Sequence, residues 1–479
     1  MATNEVHDTS AGGGAPVVHL DPDQRARIGR AARAAVPRSA QAECTPAPDR
    51  ADPWALLHAQ ETTRVPDLVP LRHERMLVSP FTFYRGAAVI MAADLAATPN
   101  TGLRVQACGD AHLSNFGGFA SPDRTLVFDI NDFDETNPGP FEWDVKRLCA
   151  SFEIAARARE FSAKEARALA LRAAATYRET MADFAGKTNL EVWYARFDVQ
   201  RVFDEFRSQA TPTEVKRFEK VTAKAQTKDN MKAFEKLTEL VDGEYRITAD
   251  PPVVVPLRDL LTEGEFDETR ASLEDRIRVY RRTLQPDRRR LIESYRLVDF
   301  ARKVVGVGSV GTRCWIALLL GRDAKDPLFL QVKEAEASVL EPHAGRSGFA
   351  NHGQRVVEGQ RLLQASSDIL LGWIRSPGVD GQERDFYLRQ LWDWKLSADI
   401  DTMQPKVLGI YAQLCGWTLA RAHARSGDRI AIAAYLGTND TFDRAIADFS
   451  RDYADQNERD YTGVKNALQG ATAASAAPS

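Results

Sequence analysis

The sequence predicts an α+β protein, a small antiparallel β unit beside a mainly helical remainder. Three observations predict it. Residues 303–334, "KVVGVGSVGTRCWIALLLGRDAKDPLFLQVKE", hold three β-rich runs separated by a glycine cluster and by the turn-forming "GRDAKDP". From about residue 140 to 300 the apolar residues mostly recur at helical spacing. Between them in character, "LRVQAC" and "TLVFDINDFDE" are strand candidates flanking the polar loop "GDAHLSN".

Taken in chain order, residues 1–50 mix "AGGGAP" with proline, alanine and scattered charge, which predicts a disordered N-terminal segment. "FTFYRGAAVIMAADLA" reads as helix and leads to the strand, loop, strand block. Next, "SAKEARALALRAAATYRETMADFAG" starts on a serine cap with Glu165 three residues on, and "PDRRRLIESYRLVDFARKV" reads as an amphipathic helix with proline near its start. After the three β-rich runs come a helix in "GQRVVEGQRLLQASSDILLGW", a strand in "RDFYLRQLWDW" and a long helix in "QPKVLGIYAQLCGWTLARAHARSG". The small, polar end "GATAASAAPS" predicts a disordered tail over 466–479. The expected division is therefore a helical part carrying the polar loops over 51–300, a β-rich part over 301–398, and helices over 399–465 that return to the helical part. No tandem repeat and no Ser- or Pro-rich linker separates them.

The 479 residues are 44% hydrophobic and 27% charged, with a formal net charge of −4, which gives no reason to expect nucleic acid as a partner. Five scattered cysteines, odd in number and without a C-x-x-C pair, suggest neither a disulfide framework nor a zinc site and fit a reducing compartment. No apolar run approaches the ~18 residues of a membrane span. A soluble cytoplasmic protein without a membrane partner is expected.

Chemistry concentrates in two loops and one strand. Two divalent-metal ligands, one carboxylate and one amide oxygen, together with a second carboxylate placed as base, are the minimal equipment for phosphoryl transfer; Asp132, Asn115 and Asp110 supply that set. "GVGSVG", with Gly306, Gly308, Ser309 and Gly311, sits between strands, so its backbone N–H groups suit a flap over phosphates better than a dinucleotide-binding helix start. A glycine-rich hairpin without a ligand is the plain alternative. In "LFLQVK", alternation places Phe329, Gln331 and Lys333 on one face, where Lys333 could reach phosphates beneath the flap. Glu358 is the first candidate for its ionic partner, with Glu334, Glu336 and Glu341 also close in sequence.

"GDAHLSN" resembles the G-D-x-H-x-x-N catalytic loop of the aminoglycoside and choline kinase branch of the protein-kinase-like superfamily, and "NDFDE" resembles its D-F-D/E metal motif. "GPFEWDVKRL" resembles the segment in which an acid opens the next helix, which implies Asp144 as a structural acid supporting the loop. From about residue 65 to 465 the chain resembles a bacterial family of uncharacterised proteins, DUF2252. The resemblance implies a two-lobed kinase-like fold with a β-rich N-lobe and a helical C-lobe. Its order is circularly permuted, because the glycine loop and lysine follow the catalytic loop by roughly 190 residues instead of preceding it. Either "FYRGAAVIMAADLA" or the helix over about 404–426 takes the place of the helix that leads into the catalytic loop. Cys108 stands where the family loop usually has histidine, and Gln331 where kinases usually carry a small residue under adenine.

The implied activity is an ATP- and Mg-dependent phosphotransferase: Asp132 and Asn115 hold Mg, Lys333 tethered by Glu358 neutralises the inner phosphates, and Asp110 deprotonates a hydroxyl of a small-molecule acceptor. His112 and Arg85 are expected to serve structure. Rival readings are a metal-dependent phosphoesterase, weakened by eight histidines without an H-x-H pair, a nucleotide-binding pseudoenzyme, and a nucleotidyl transferase on the same fold.

Overall fold

The structure, a computed structural model, describes residues 19–207, 212–378 and 380–476. Its helical region is built around Phe141–Ala158, Ala163–Ala185, Pro405–Ser426, Arg429–Leu436 and Thr441–Ala476. Phe141, Phe152, Tyr177, Tyr411, Tyr435 and Phe442 are buried where these helices meet. Ser162 and Glu165 close a reciprocal capping box at the start of the second helix, as the sequence predicts.

Two expectations about the ends are corrected. Within residues 1–50, Pro22–Ala35 is a helix opened by an Asp21–Gln24 capping box. It docks on Arg429–Leu436 through Arg25 to Asp428 at 2.9 Å and Arg33 to the Tyr435 carbonyl at 2.8 Å. Arg25 and Arg33 join a close approach of Gly29 to Ala431 and Ala434 in anchoring this segment, contacts that composition does not reveal; residues 1–18 lie outside the described residues. At the other end the last helix continues to Ala476 through the expected tail, and 477–479 lie outside.

The sheet region is a six-stranded antiparallel sheet with spatial order Gly372–Pro377, Glu383–Gln390, Pro327–Glu334, Cys314–Leu320, Arg296–Lys303 and Val254–Pro256. The helix His352–Leu363 lies between the strands Pro327–Glu334 and Gly372–Pro377 in sequence. The amphipathic helix expected over 286–304 ends early, at Ile292, and "RLVDFARK" is a strand instead. The apolar residues there satisfy either period, and pairing with Cys314–Leu320 selects the extended one. The boundary at residue 300 also moves. Phe234, Leu237, Ile247 and Val254 pack with Ile316, Leu318 and Phe329, so much of 230–295 belongs with the sheet.

A smaller sheet, ordered Leu396–Ser397, Phe116–Ala120, Leu126–Ile130 and Phe197–Asp198, and a two-stranded ribbon, Arg104–Ala107 with Asn137–Pro140, bracket the polar loops between the two regions.

Candidate functional site

The strand Arg104–Ala107 delivers the chain into the loop Cys108–Asn115, whose first turn is forced by close packing. Gly109 has φ +82°, and a Cβ there would overlap the Glu135 carbonyl. Asp144, in the first turn of Phe141–Ala158, accepts from the backbone N–H of Cys108 at 2.7 Å and of Gly109 at 3.0 Å. Its Oδ2 also lies 3.1 Å from His423 Nε2, and His423 Nδ1 is 2.8 Å from the Tyr177 hydroxyl. The imidazole supporting the loop therefore comes from the helix Pro405–Ser426, while Cys108 is buried with its thiol pushed up by burial. The end of that helix abuts the strand feeding the loop. Ser426 Oγ accepts from Gln106 N at 3.3 Å, and Gly427 packs against Val105 and the Arg104 carbonyl.

Asp110 Oδ1 is clamped by Arg147, at 2.8 Å from Nε and 2.7 Å from Nη2, and the guanidinium rests 3.9 Å from the Tyr84 ring centre. Burial raises the Asp110 carboxyl above its usual range, against the pull of Arg147 and Arg85. Oδ2 lies 3.7 Å from His112 Nε2. His112 Nδ1 accepts from Ser114 N at 3.2 Å, and burial together with Arg85 and Arg147 holds this imidazole well below its ordinary pKa, hence neutral. Asn115 Nδ2 donates to the Asp110 carbonyl at 2.8 Å, which leaves its Oδ1 without a donor among the described residues.

Across the loop, Asn131 N donates to the Asn115 carbonyl at 2.8 Å, which ties the segment Asn131–Glu135 to the first loop. Lys333 reaches this segment from the six-stranded sheet. Its Nζ pairs with Asp134 and lies 3.9 Å from Asp132 Oδ2. Tyr387, directly opposite Lys333 on the neighbouring strand, donates its hydroxyl to Asp134 at 2.7 Å. Burial disfavours the Lys333 charge, but Asp132 and Asp134 overcome it and hold the ammonium well above its ordinary pKa. Burial likewise opposes ionisation of Asp134, yet Lys333 and Tyr387 keep it below the usual carboxylate range. Asp132, raised by burial and by the Asp134 charge, is the weaker acid of the two.

The expected tether of Lys333 is corrected. Glu358 pairs with Arg361 at 3.0 Å, and Glu334 serves Arg313 and Arg384 at 3.3 and 3.1 Å. The helix His352–Leu363 contributes Arg355 instead, donating to the carbonyls of Thr136 at 2.5 Å, Asp134 at 2.8 Å and Glu336 at 2.8 Å. Gln331 accepts from Arg389 Nε at 3.0 Å, and Arg389 also donates to the Asn131 carbonyl at 3.0 Å. Arg389, Tyr387, Arg355, Arg147 and His423 are site residues that sequence reasoning missed. The first two become visible only once "RDFYLRQ" is paired in register with "LFLQVK", and the sequence carries no sign of that register.

The glycine loop is fastened to the helical region. Val65 N donates to the Gly311 carbonyl at 2.8 Å, Arg75 to that of Gly306 at 3.1 Å, and Arg64 to that of Val310 at 2.5 Å. Val307 packs with Met76, Phe83 and Ala87. Ser309 Oγ is 3.4 Å from Asp134 Oδ2, while the N–H groups of Val307, Gly308 and Ser309 have no acceptor among the described residues. Ser309, Lys333, Asp132, Asn115 and Asp110 are thus joined by one chain of contacts through Asp134 and Asn131, while Gly306, Gly308 and Gly311 hold the loop that carries Ser309 against the helical region; Glu358 pairs elsewhere. Among the described residues no group of three His, Cys, Asp or Glu side chains is set to hold a metal ion, and no helix is long and apolar enough to cross a membrane.

No curated protein and no solved structure matches the chain. A family model does, over residues 64–467: the chain belongs to DUF2252, described as an uncharacterized protein conserved in bacteria.

Proposed function

We propose that this protein is an ATP- and Mg-dependent phosphotransferase acting on a hydroxyl of a small-molecule acceptor, on a circularly permuted kinase-like scaffold. One observation carries the reading: Lys333 meets Asp134, its direct partner, from 199 positions away in the chain and lies 3.9 Å from Asp132. The strand, glycine loop, strand, lysine strand, helix, strand, strand succession of 296–390, with its last strand inserted beside the lysine strand, supports a kinase-type N-lobe. The helix Pro405–Ser426 ending against Arg104–Ala107 supports the permutation, because it is the place where an unpermuted chain would run on into the catalytic loop. It also favours this helix over Ala88–Ala96 as the one leading into the loop.

The donor set suits the implied ligands. Asp132 and the undonated Asn115 Oδ1 offer a hard cation two oxygens, in keeping with the few protein ligands Mg takes beside phosphates. Lys333, Arg389 and the spare N–H groups of Val307, Gly308 and Ser309 offer an anion charge and donors. When bound, Mg-ATP supplies the phosphoryl group and its charge neutralisation. The chain's own part is to hold Asp110 by one oxygen on Arg147, leaving Oδ2 to take the proton of an acceptor hydroxyl. A pseudoenzyme reading draws on Lys333 being engaged by Asp134 instead of Glu358.

Mg-ATP binding by calorimetry and phosphate transfer from labelled ATP to a metabolite-extract acceptor pool test the proposal. Asp132→Ala and Lys333→Met are expected to lose both binding and transfer. Asp110→Asn is expected to keep binding and lose at least about 100-fold in transfer, the scale of a general base. Normal transfer by Asp132→Ala sinks the assignment, and Mg-ATP binding with transfer undetectable in wild type selects the pseudoenzyme.

A further inference from the structure

Strand alternation gives the six-stranded sheet a second face. Gln331 and Lys333 turn toward the polar loops, whereas Leu330 and Val332 of the same strand line a cavity of about 340 Å³ on the opposite side. The far wall is the helix Glu263–Arg281, through Leu273 and Ile277. Phe300 and Trp315 stack at 5.3 Å between ring centres on the near wall. The cavity is therefore separated from the candidate site by the thickness of the sheet.

Its polar groups are few and unequal. Arg313 is satisfied, donating to the Thr63 carbonyl at 2.9 Å and pairing with Glu334 at 3.3 Å. Asp380 is neutralised by Arg384 at 2.5 Å. Arg302 differs. It stands directly opposite Trp315, its Nε is buried without a hydrogen-bond partner, and it has no carboxylate within ion-pair reach among the described residues. Arg276, from the facing helix, spends its Nε on Ser272 at 3.2 Å and likewise lacks an ion pair among the described residues. A buried guanidinium donor left unpaired beside an apolar void is costly, and a carboxylate is the group whose planar geometry satisfies it.

We infer that this cavity binds an amphipathic monocarboxylate, its acyl body against Leu330, Val332, Leu273 and Trp315 and its carboxylate on Arg302. The size and the mainly apolar lining, with Arg302 free of an ion pair among the described residues, are those of a small-ligand site. The inference stands apart from the phosphotransferase reading, since none of the residues it uses faces Asp110, Asp132 or Lys333.

Titration of the full chain with sodium decanoate and, separately, decanol tests it, followed by calorimetry and by the tryptophan emission that a Trp315→Phe control assigns. Wild type is expected to bind decanoate at least tenfold more tightly than decanol. Arg302→Met is expected to erase that preference while still binding decanol, and Ala317→Leu, which fills the void, to abolish both, each with a melting temperature within a few degrees of wild type. Equal affinity of wild type for decanoate and decanol, or no binding of either, overturns the proposal without needing any variant. Undiminished decanoate binding by a folded Ala317→Leu overturns the location.

Discussion

Glu135 closes the segment that carries Asp132 and Asp134, and its carboxyl is a sensitive probe of how tightly that segment is enclosed. Its carbonyl accepts from Ser338 Oγ at 2.7 Å and its Oε2 from Val339 N at 2.7 Å. Burial pushes the carboxyl up to about 7 from 4.5, although the Val339 N–H and Arg355 pull the other way. A carboxyl whose folded pKa lies above its unfolded value keeps its proton longer in the native state. Folding is therefore favoured most below pH 4.5, loses ground as pH rises from there to about 7, and carries the full deficit above it. The gap corresponds to about 3 kcal/mol. Glu135→Gln keeps an acceptor for Val339 and removes the titration. Urea unfolding at pH 5, 6, 7 and 8 is expected to give a variant-minus-wild-type difference that grows by about 2–3 kcal/mol across the series, in favour of the variant. A difference that stays flat, or that grows in favour of wild type, refutes the argument that Glu135 is held in a desolvated pocket.

Gly109→Ala introduces a side chain at φ +82° against the Glu135 carbonyl and is expected to cost about 3 kcal/mol or more, read as a lowered urea midpoint. Lys146, buried beside Thr98 with Nζ 4.7 Å from the centre of the Phe449 ring, has its pKa lowered to about 8 by burial. Native stability should rise with pH between about 8 and 10.5. Lys146→Met should accordingly gain about 1–3 kcal/mol at pH 7 and lose that advantage at pH 10. His423→Leu leaves Asp144 and the Tyr177 hydroxyl without their buried partner and is expected to cost about 3 kcal/mol. Faster amide exchange at Cys108 and Gly109 than in wild type would locate the loss at the loop, and unchanged exchange there would refute the supporting role of His423.

Local chemistry was legible where neighbours in sequence are neighbours in space. The Ser162 cap, the antiparallel pair Cys314–Leu320 and Pro327–Glu334 and the compact loop Asp110–Asn115 all depend on spacing of a few residues, and Asp144 lies one ribbon away, whereas the run expected at "KVVGV" is loop beyond Lys303. Partnerships across the chain were not. Helical periodicity places Glu358 on a helix but cannot tell whether it or Arg355, three positions earlier, turns toward the loops. Nor does composition separate a helix at 22–35 from a segment without structure, since it docks through the small residues Gly29 and Ala32 and through Arg25 and Arg33, none of which marks a core-forming stretch. The strand "RLVDFARK" illustrates a different limit, a short apolar pattern compatible with both periods and decided only by the strand beside it.

The Tyr177–His423–Asp144 chain also has a temporal meaning. His423 lies 279 positions beyond Asp144, so during synthesis the loop and its acid leave the ribosome long before the imidazole that steadies them exists. Lys333 likewise follows Asp134 by 199 positions. Contacts of such separation make assembly slow and late. The polar loops of the nascent chain are therefore held at first only by nearby partners such as Asp144 and Arg147, and the helix Pro405–Ser426, whose His423 follows Asp144 by 279 positions, completes their support.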